Sequence, residues 1–433
     1  MNSDVDDFVM KYCKKFMDPD TLIYNINQDM PSKEQHIKNL SIDLASGIPG
    51  ILYLISELEE NYGLTNKDIY VDNYIELLLS TLKDNPKYDI SLFGGLPGIA
   101  MSLVSLKRPD LTNAINQINE VIFQLIDYFI EKVSVTFANK SSYFDWMYGL
   151  SGTLNYLCFY SENVNKTNKR IRQYIQRIQK FFITNYLQKL TINNKSIYPW
   201  YISQDNQMSE IDKVEYPFGN YNISLSHGIS GMLLALTESQ NVNYDNKVYL
   251  LQKNIAKFLL ENMNIINKFP IWPLAISLDK KHNIDQKQEL NRFDSWCYGS
   301  PGILISLLNF AEQEKNKKLQ KFCIDSLVSL NDRNEGLSSP IICHGYSGLL
   351  AILLCIRRKY KLSFSINRNI LKTIMGYEDV NLKLGFLDKR YISDSTFIVT
   401  SDPGILNGTT GVLLSMILVN HSSTSGWTKI FGI

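Results

Sequence analysis

Five side chains that could bind a metal ion or transfer a proton stand just before a Gly-x-x-Gly step. Cys297 precedes the step by two residues in DSWCYGSPG, and Cys343 with His344 precedes it in CHGYSG. His227 stands directly before it in SLSHGISG, and Asp145 stands four residues before it in YFDWMYGLSG. The chain has five histidines, so two of them beside one motif exceed chance expectation. We take these side chains as the candidates for chemistry.

Two thiols and one imidazole form a donor set that suits zinc. Structural zinc sites are closed by four protein ligands, whereas catalytic sites use three and leave one position open. Zinc bound by two thiolates is roughly neutral, so a third thiolate at the open position stays electron-rich and nucleophilic. Cys297, Cys343 and His344 therefore predict one Zn²⁺ ion per chain that activates a substrate thiol.

The Gly-x-x-Gly step occurs seven times, and each copy leads into an apolar run. Pro at the third position suits the first turn of a helix, and Ser or Thr there can cap free backbone N–H groups. Each step is thus predicted to begin a buried helix. Amphipathic segments between the steps, such as KRIRQYIQRIQKFFITNYLQKL, are predicted to form an outer layer. The copies begin at Gly47, Gly95, Gly149, Gly228, Gly299, Gly345 and Gly408.

Alternating buried and amphipathic helices build either an open solenoid or a closed ring. The terminal copies are as apolar as the middle ones, whereas solenoid ends are usually polar, so we expect an all-α closed ring in one domain spanning residues 1–433. The third and fourth intervals between copies are the longest and predict loop or short-strand insertions at about 190–226 and 265–294. If all buried helices begin at one end of the ring, the candidate side chains converge at its mouth.

Each candidate also has a structural explanation. Cys297 stands between two aromatic residues, where a cysteine is commonly a small core residue. His227 could be a buried histidine bonded to a carbonyl, and Asp145 could simply cap a helix. The shared slot of Cys297 and Cys343 favours metal binding for that pair and leaves the roles of His227 and Asp145 open.

Net charge and hydrophobicity limit the cellular compartment and the classes of partner that we expect for this protein. Lys plus Arg total 44 against 43 for Asp plus Glu, so no net charge attracts nucleic acid or an anionic membrane. The first residues lack the basic flank and apolar run of a signal peptide, and the apolar stretches are shorter than the roughly 20 residues that span a bilayer. We therefore expect a cytoplasmic protein whose six cysteines stay reduced.

The motifs SHGISG, SWCYGSPG and CHGYSG, in that order and with seven Gly-x-x-Gly steps, resemble those of the lantibiotic cyclases, also called lanthionine synthetase C proteins. The resemblance covers about Gly47 to Gly411. It implies an α/α toroid of inner and outer helices, seven of each, with zinc at its mouth. It also implies an activity: a peptide cysteine thiol adds to the β-carbon of dehydroalanine or dehydrobutyrine and closes a lanthionine or methyllanthionine thioether ring.

The resemblance also assigns roles, position by position. Three residues would hold the zinc, two would serve acid and base chemistry beside it, and a tyrosine would stand near it. The zinc ligands are Cys297, Cys343 and His344, the acid and base residues are His227 and Asp145, and the tyrosine is Tyr298. One position departs from the family, which often has an arginine four residues before its first zinc cysteine. Phe293 stands there in this chain, with Arg292 one step earlier.

The resemblance implies a dehydrated precursor peptide as substrate. The chain is too short to include a dehydratase, so a separate dehydratase and an exporter are expected as partners. Such a complex would associate with the inner face of the cell membrane. Two other functions stay open: addition of glutathione to dehydrated residues of proteins, as in eukaryotic relatives, and a non-enzymatic helical ring with structural zinc.

Overall fold

The computed structural model describes residues 3–30, 32–65, 68–84, 89–133, 138–192, 194–285, 288–393 and 396–433. Helices dominate these ranges. In chain order they are α1 (Ser3–Cys13), α2 (Pro19–Asp29), α3 (Ile48–Tyr62), α4 (Val71–Asp84), α5 (Leu96–Ser105), α6 (Thr112–Lys132), α7 (Ser141–Phe144), α8 (Leu150–Asn163), α9 (Lys169–Tyr186), α10 (Glu210–Glu215), α11 (Ile229–Val242), α12 (Asn246–Glu261), α13 (Ser300–Gln313), α14 (Lys317–Arg333), α15 (Tyr346–Lys359), α16 (Arg368–Gly376) and α17 (Thr409–Asn420).

Each Gly-x-x-Gly step begins an inner helix. The first glycine of every step is the N-cap and has an extended backbone. The second glycine permits close packing, because a Cβ on Gly302 would lie 2.4 Å from the Trp296 oxygen and 2.7 Å from Leu225 Cβ in the preceding repeat. The inner helices are therefore buried on nearly all sides. In α3, for example, every residue from Ile48 to Leu58 is buried. The inner helices are α3, α5, α8, α11, α13, α15 and α17.

The outer helices bury one face only. In α9, Ile171, Ile175, Ile178 and Phe182 are buried at spacings of three and four residues, and the basic side chains are exposed. An outer helix follows each of the first six inner helices and packs against it. The outer partner of α17 is α1, and α17 also packs against α3, so the first and last repeats meet. The predicted fold class, an α/α toroid, is confirmed.

A ring of backbone hydrogen bonds joins the loops that precede the inner helices. In each loop, the residue two positions before the first glycine donates its N–H to the carbonyl of the equivalent residue in the next repeat, over 3.0–3.3 Å. The last bond runs from Leu406 N–H to the Ala45 oxygen and closes the circle. Seven equivalent residues are thereby held on one circle at one end of the toroid. They are Ala45, Phe93, Met147, Ser226, Cys297, Cys343 and Leu406.

A short helical segment, Trp427–Phe431, packs against residues of several repeats. The indole N–H of Trp146 donates to the Ile430 oxygen, and that of Trp296 donates to the Phe431 oxygen, both over 2.8 Å. The ring of Phe431 lies 5.1 Å from that of Trp296. Trp146 directly follows Asp145, and Trp296 directly precedes Cys297. The segment therefore supports the loops that carry two of the candidate residues.

The strands are short and form four antiparallel pairs in the described part of the chain. Strands β3 (Asn220–Asn222) and β6 (Ala275–Ser277) join the two insertions, since Asn222 pairs with Ala275. The pair formed by β7 (Asp388–Ser393) and β8 (Thr396–Thr400) lies between α16 and α17, outside the two predicted insertions. Among the described helices, none has both the length and the apolar character needed to cross a membrane. The strands are β1 (Leu190–Ile192), β2 (Lys195–Ile197), β3 (Asn220–Asn222), β4 (Asn264–Ile266), β5 (Phe269–Ile271), β6 (Ala275–Ser277), β7 (Asp388–Ser393) and β8 (Thr396–Thr400).

Candidate functional site

Cys297 and Cys343 are neighbours on the backbone ring, and their side chains meet. The Cys297 N–H donates to the Cys343 oxygen over 3.2 Å. A side-chain hydrogen bond with Cys343 lowers the pKa of the Cys297 thiol, and the positive charge of His344 and the Ser295 hydroxyl act in the same direction against the effect of burial. The environment of Cys297 therefore favours its thiolate form.

The cysteines outside the candidate site behave in the opposite way. Cys13, Cys158, Cys323 and Cys355 lie on helices, and burial raises the pKa of each thiol. The pKa is about 12 for Cys323 and about 11 for Cys355. A raised pKa keeps these sulfurs protonated and suits packing rather than metal binding.

His344 is held by an aspartate that the sequence analysis missed. Its Nε2 lies 3.1 Å from Oδ1 of Asp388, the first residue of β7. The same oxygen accepts a hydrogen bond from the Ser339 hydroxyl over 3.0 Å, and Asp388 is only 1% exposed. A carboxylate bonded to one ring nitrogen is the usual partner of a histidine that binds a metal ion through its other nitrogen.

His227 and Asp145 form a second pair beside the thiols. Nδ1 of His227 lies 2.9 Å from Oδ2 of Asp145, which is fully buried. The other oxygen, Oδ1, accepts hydrogen bonds from the N–H groups of Tyr148 and Gly149 over 2.6 and 2.7 Å. Asp145 therefore fixes the loop that leads into α8 and orients the His227 imidazole, whereas its part in acid or base chemistry stays a prediction.

Two tyrosine rings flank the His227 imidazole. Tyr148 stacks on it with ring centroids 5.3 Å apart, and Tyr298 lies 5.9 Å away at a tilt of 42°. Burial raises the pKa of Tyr298, whose hydroxyl is hydrogen-bonded to Asn222. Tyr148 is not among the residues predicted from the sequence, although it directly precedes Gly149 just as His227 precedes Gly228. That shared slot was the signal that could have found it.

A cavity of about 510 Å³ opens onto the candidate site. Cys297, Tyr298 and His344 line one side, and residues of both insertions line the other. Phe293, which stands where the family often has arginine, lines the cavity and is 49% exposed. Arg292 lines adjoining grooves instead. The described lining of the cavity thus has an aromatic ring in place of a guanidinium group.

The donors at the site can be compared with the needs of zinc. Within the described ranges, no three His, Cys, Asp or Glu side chains are grouped closely enough to hold a metal ion. In kind, however, the donors suit zinc: two hydrogen-bonded thiols, one with a lowered pKa, stand beside an imidazole that is bonded to a buried carboxylate. The donors thus fit zinc by their chemical type, and zinc binding itself stays a prediction.

Comparisons with known proteins agree with this architecture. Residues 38–431 match the family described as Lanthionine synthetase C-like protein. The "Nisin biosynthesis protein NisC" of Lactococcus lactis subsp. lactis is 32% identical over 327 residues, which are 73% of this chain and 74% of that protein. A solved structure of "Nisin cyclase" superposes with a TM-score of 0.76 at 23% identity, covering 99% of this chain and 96% of the other, and shows the same fold. The chain belongs to the lanthionine synthetase C-like family.

Proposed function

We propose that the protein is a zinc-dependent cyclase that closes thioether rings in a dehydrated precursor peptide. The observation that carries the proposal is the hydrogen bond between the Cys297 and Cys343 side chains, at a cavity that Cys297 and His344 both line. Membership of the lanthionine synthetase C-like family and the likeness to a protein named for nisin biosynthesis support it. In this proposal Cys297, Cys343 and His344 hold the metal.

Bound zinc would supply a Lewis acid that keeps a substrate thiol in its thiolate form near neutral pH. In the reaction, the sulfur forms a bond to the β-carbon of a dehydroalanine or dehydrobutyrine, and the Cα=Cβ π bond breaks. The electron pair moves to the enolate, which then takes a proton at Cα. The substrate thiol loses one proton and the product gains one, so no oxidant or reductant is needed.

In this proposal, His227 moves that proton. Asp145 accepts from Nδ1, which leaves Nε2 free of the carboxylate and able to take the thiol proton or to protonate the enolate. Burial of Asp145 and its two backbone N–H bonds hold the carboxylate, and hence the imidazole, in one orientation. The rings of Tyr148 and Tyr298 restrict the imidazole on either side.

Asp388 has a positioning role in this proposal. We expect Asp388→Asn to lower the zinc affinity by about 10-fold to 100-fold, because an outer carboxylate fixes the orientation of a metal-binding histidine. Competition with a coloured chelator measures the affinity. Ser339→Ala, which removes the hydroxyl but leaves the carboxylate, should have a smaller effect. Unchanged zinc affinity in Asp388→Asn, with zinc-free protein of normal thermal midpoint, would contradict the role.

The function is tested by offering the purified protein a dehydrated precursor peptide and glutathione. The cyclase proposal predicts about one zinc per chain and thioether bonds within the peptide, without a mass change. Alkylation of free thiols before mass spectrometry counts the cysteines consumed. Glutathione adducts in place of rings would favour the glutathione-adding alternative, and zinc-loaded protein with neither product would favour a binding module.

The proposed reaction needs a substrate that a separate enzyme has already dehydrated. A dehydratase must supply the dehydroalanine and dehydrobutyrine residues, since a thiol cannot add to the unactivated β-carbon of serine or threonine. We propose this dehydratase and an exporter as partners, gathered at the inner face of the cell membrane. Co-purification of a tagged chain with a dehydratase and its precursor peptide tests the assembly.

A further inference from the structure

The cavity beside the candidate site has an acidic wall. Asp212 and Glu215 of α10 line it, and none of its described lining residues is Lys or Arg. The lysine on the same helix, Lys213, is paired with Glu210 over 2.5 Å. No described ion pair neutralises Asp212 or Glu215. Arg292 and Glu215 both line an adjoining groove, where their charges are opposite. We therefore assign the negative charge of the cavity itself to Asp212.

A residue that lines the same cavity has a buried hydrogen-bond acceptor without a partner among the described residues. Asn220 of β3 lines the cavity and is 2% exposed. Its Nδ2 donates to Gln207 Oε1 over 3.1 Å, but its Oδ1 has no partner among the described residues. An unsatisfied buried acceptor is costly, so it marks a place that suits a hydrogen-bond donor.

Apolar side chains complete the lining. Met208, Leu274 and Phe293 are 48%, 37% and 49% exposed and all three line the cavity. Exposed apolar surface of this kind covers the hydrocarbon part of a ligand, and a nearby carboxylate can take its charged end. Lysine and arginine side chains combine a long apolar stem with a terminal group that only donates hydrogen bonds.

We propose that this cavity selects substrate peptides with a basic side chain near the residues being cyclised. Asp212 binds the ammonium or guanidinium group, the three apolar residues contact its stem, and Asn220 Oδ1 accepts from a peptide N–H. Cys297 and Tyr298 line the same cavity, so the bound basic residue lies close to the reacting thiol. The inference rests on the proposed function and adds a substrate preference to it.

Unreactive peptides test the preference without any chemistry. Each carries serine for the reacting cysteine and alanine for the dehydrated residue, and one flanking position within three residues holds either lysine or its uncharged isostere norleucine. Fluorescence anisotropy measures their binding to the zinc-loaded protein. At one or more positions, we expect lysine to bind about tenfold more tightly, the size expected of a hydrogen bond between charged groups.

Matched variants locate the effect. Asp212→Asn should abolish the advantage of lysine, whereas Asp205→Asn, at an exposed aspartate nearby that does not line the cavity, should retain it. Equal binding of the lysine and norleucine peptides at every position would overturn the inference, as would loss of the preference in Asp205→Asn. A protein that cyclises its precursor without a lysine preference refutes this inference alone. Lysine-selective binding without any ring formation refutes the proposed function instead.

Discussion

Cys297→Ala is expected to lose its zinc and to cyclise peptides at least about 100-fold more slowly. Loss of a residue that only supports a metal ligand already costs about 10-fold to 100-fold, and loss of the ligand itself should cost more. The variant keeps the Cys343 thiol and the His344 imidazole, which are too few ligands for tight binding. Its fold should persist, because the bonds of the backbone ring at position 297 come from the N–H and carbonyl groups and not from the sulfur. Metal analysis, circular dichroism and mass spectrometry of the peptide product measure these outcomes.

Cys323→Ala is the matched control. Cys323 is fully buried on the outer helix α14, and its pKa is raised to about 12 by burial alone. The same atoms are removed, so both variants lose a similar amount of packing, of the order of 1 kcal/mol. We expect Cys323→Ala to retain zinc and activity. If Cys297→Ala unfolded while Cys323→Ala did not, the zinc would be structural; if Cys297→Ala kept both zinc and rate, the ligand assignment would be wrong.

His227→Ala is expected to keep its zinc and lose about 100-fold to 10,000-fold in the single-turnover rate, the usual contribution of a positioned acid or base. His227 is paired with Asp145 rather than with either thiol, so the metal-binding residues remain intact. Asp145→Asn should have a smaller effect, because an amide oxygen can still cap the N–H groups of Tyr148 and Gly149 but holds the imidazole less firmly.

The control for that experiment is His36→Ala, which removes an exposed imidazole outside the toroid loops that carry the site. Its rate and zinc content should equal those of the unmodified protein. A full single-turnover rate in His227→Ala would show that another group transfers the proton. The nearest candidates by position are the hydroxyl groups of Tyr148 and Tyr298, whose rings flank the imidazole.

Much of the site could be predicted because equivalent positions of a repeat become equivalent positions in space. Cys297 and Cys343 occupy the same slot before their glycines, and that slot forms the backbone ring. The repeat pattern alone therefore predicts that two residues 46 positions apart in the sequence lie close together in the fold. His227 and Asp145 occupy different slots, one and four residues before their glycines, and they meet because they belong to successive repeats.

Features outside the repeat could not be predicted in this way. Asp388 lies in a strand between two repeats, with no motif to mark it, and only the folded chain brings it to His344. The outer partner of α17 is α1, which precedes the first step, so the order of elements along the chain gave no hint of that pairing. Phe293 departs from the family motif, so its role cannot be inferred from the family. Only its position in the cavity of this protein indicates what it does.

The closed circle of backbone bonds also governs when the protein can become active during its synthesis. The Leu406 N–H must reach the Ala45 carbonyl, and the Trp296 indole must reach the Phe431 oxygen, before either side of the site is supported. A ribosome-bound chain that extends past His344 but ends before Phe431 has every candidate ligand and lacks the Trp296–Phe431 contact. Contacts between such distant residues form late in folding. A nascent chain of this architecture therefore stays without an assembled site until translation has passed its last repeat.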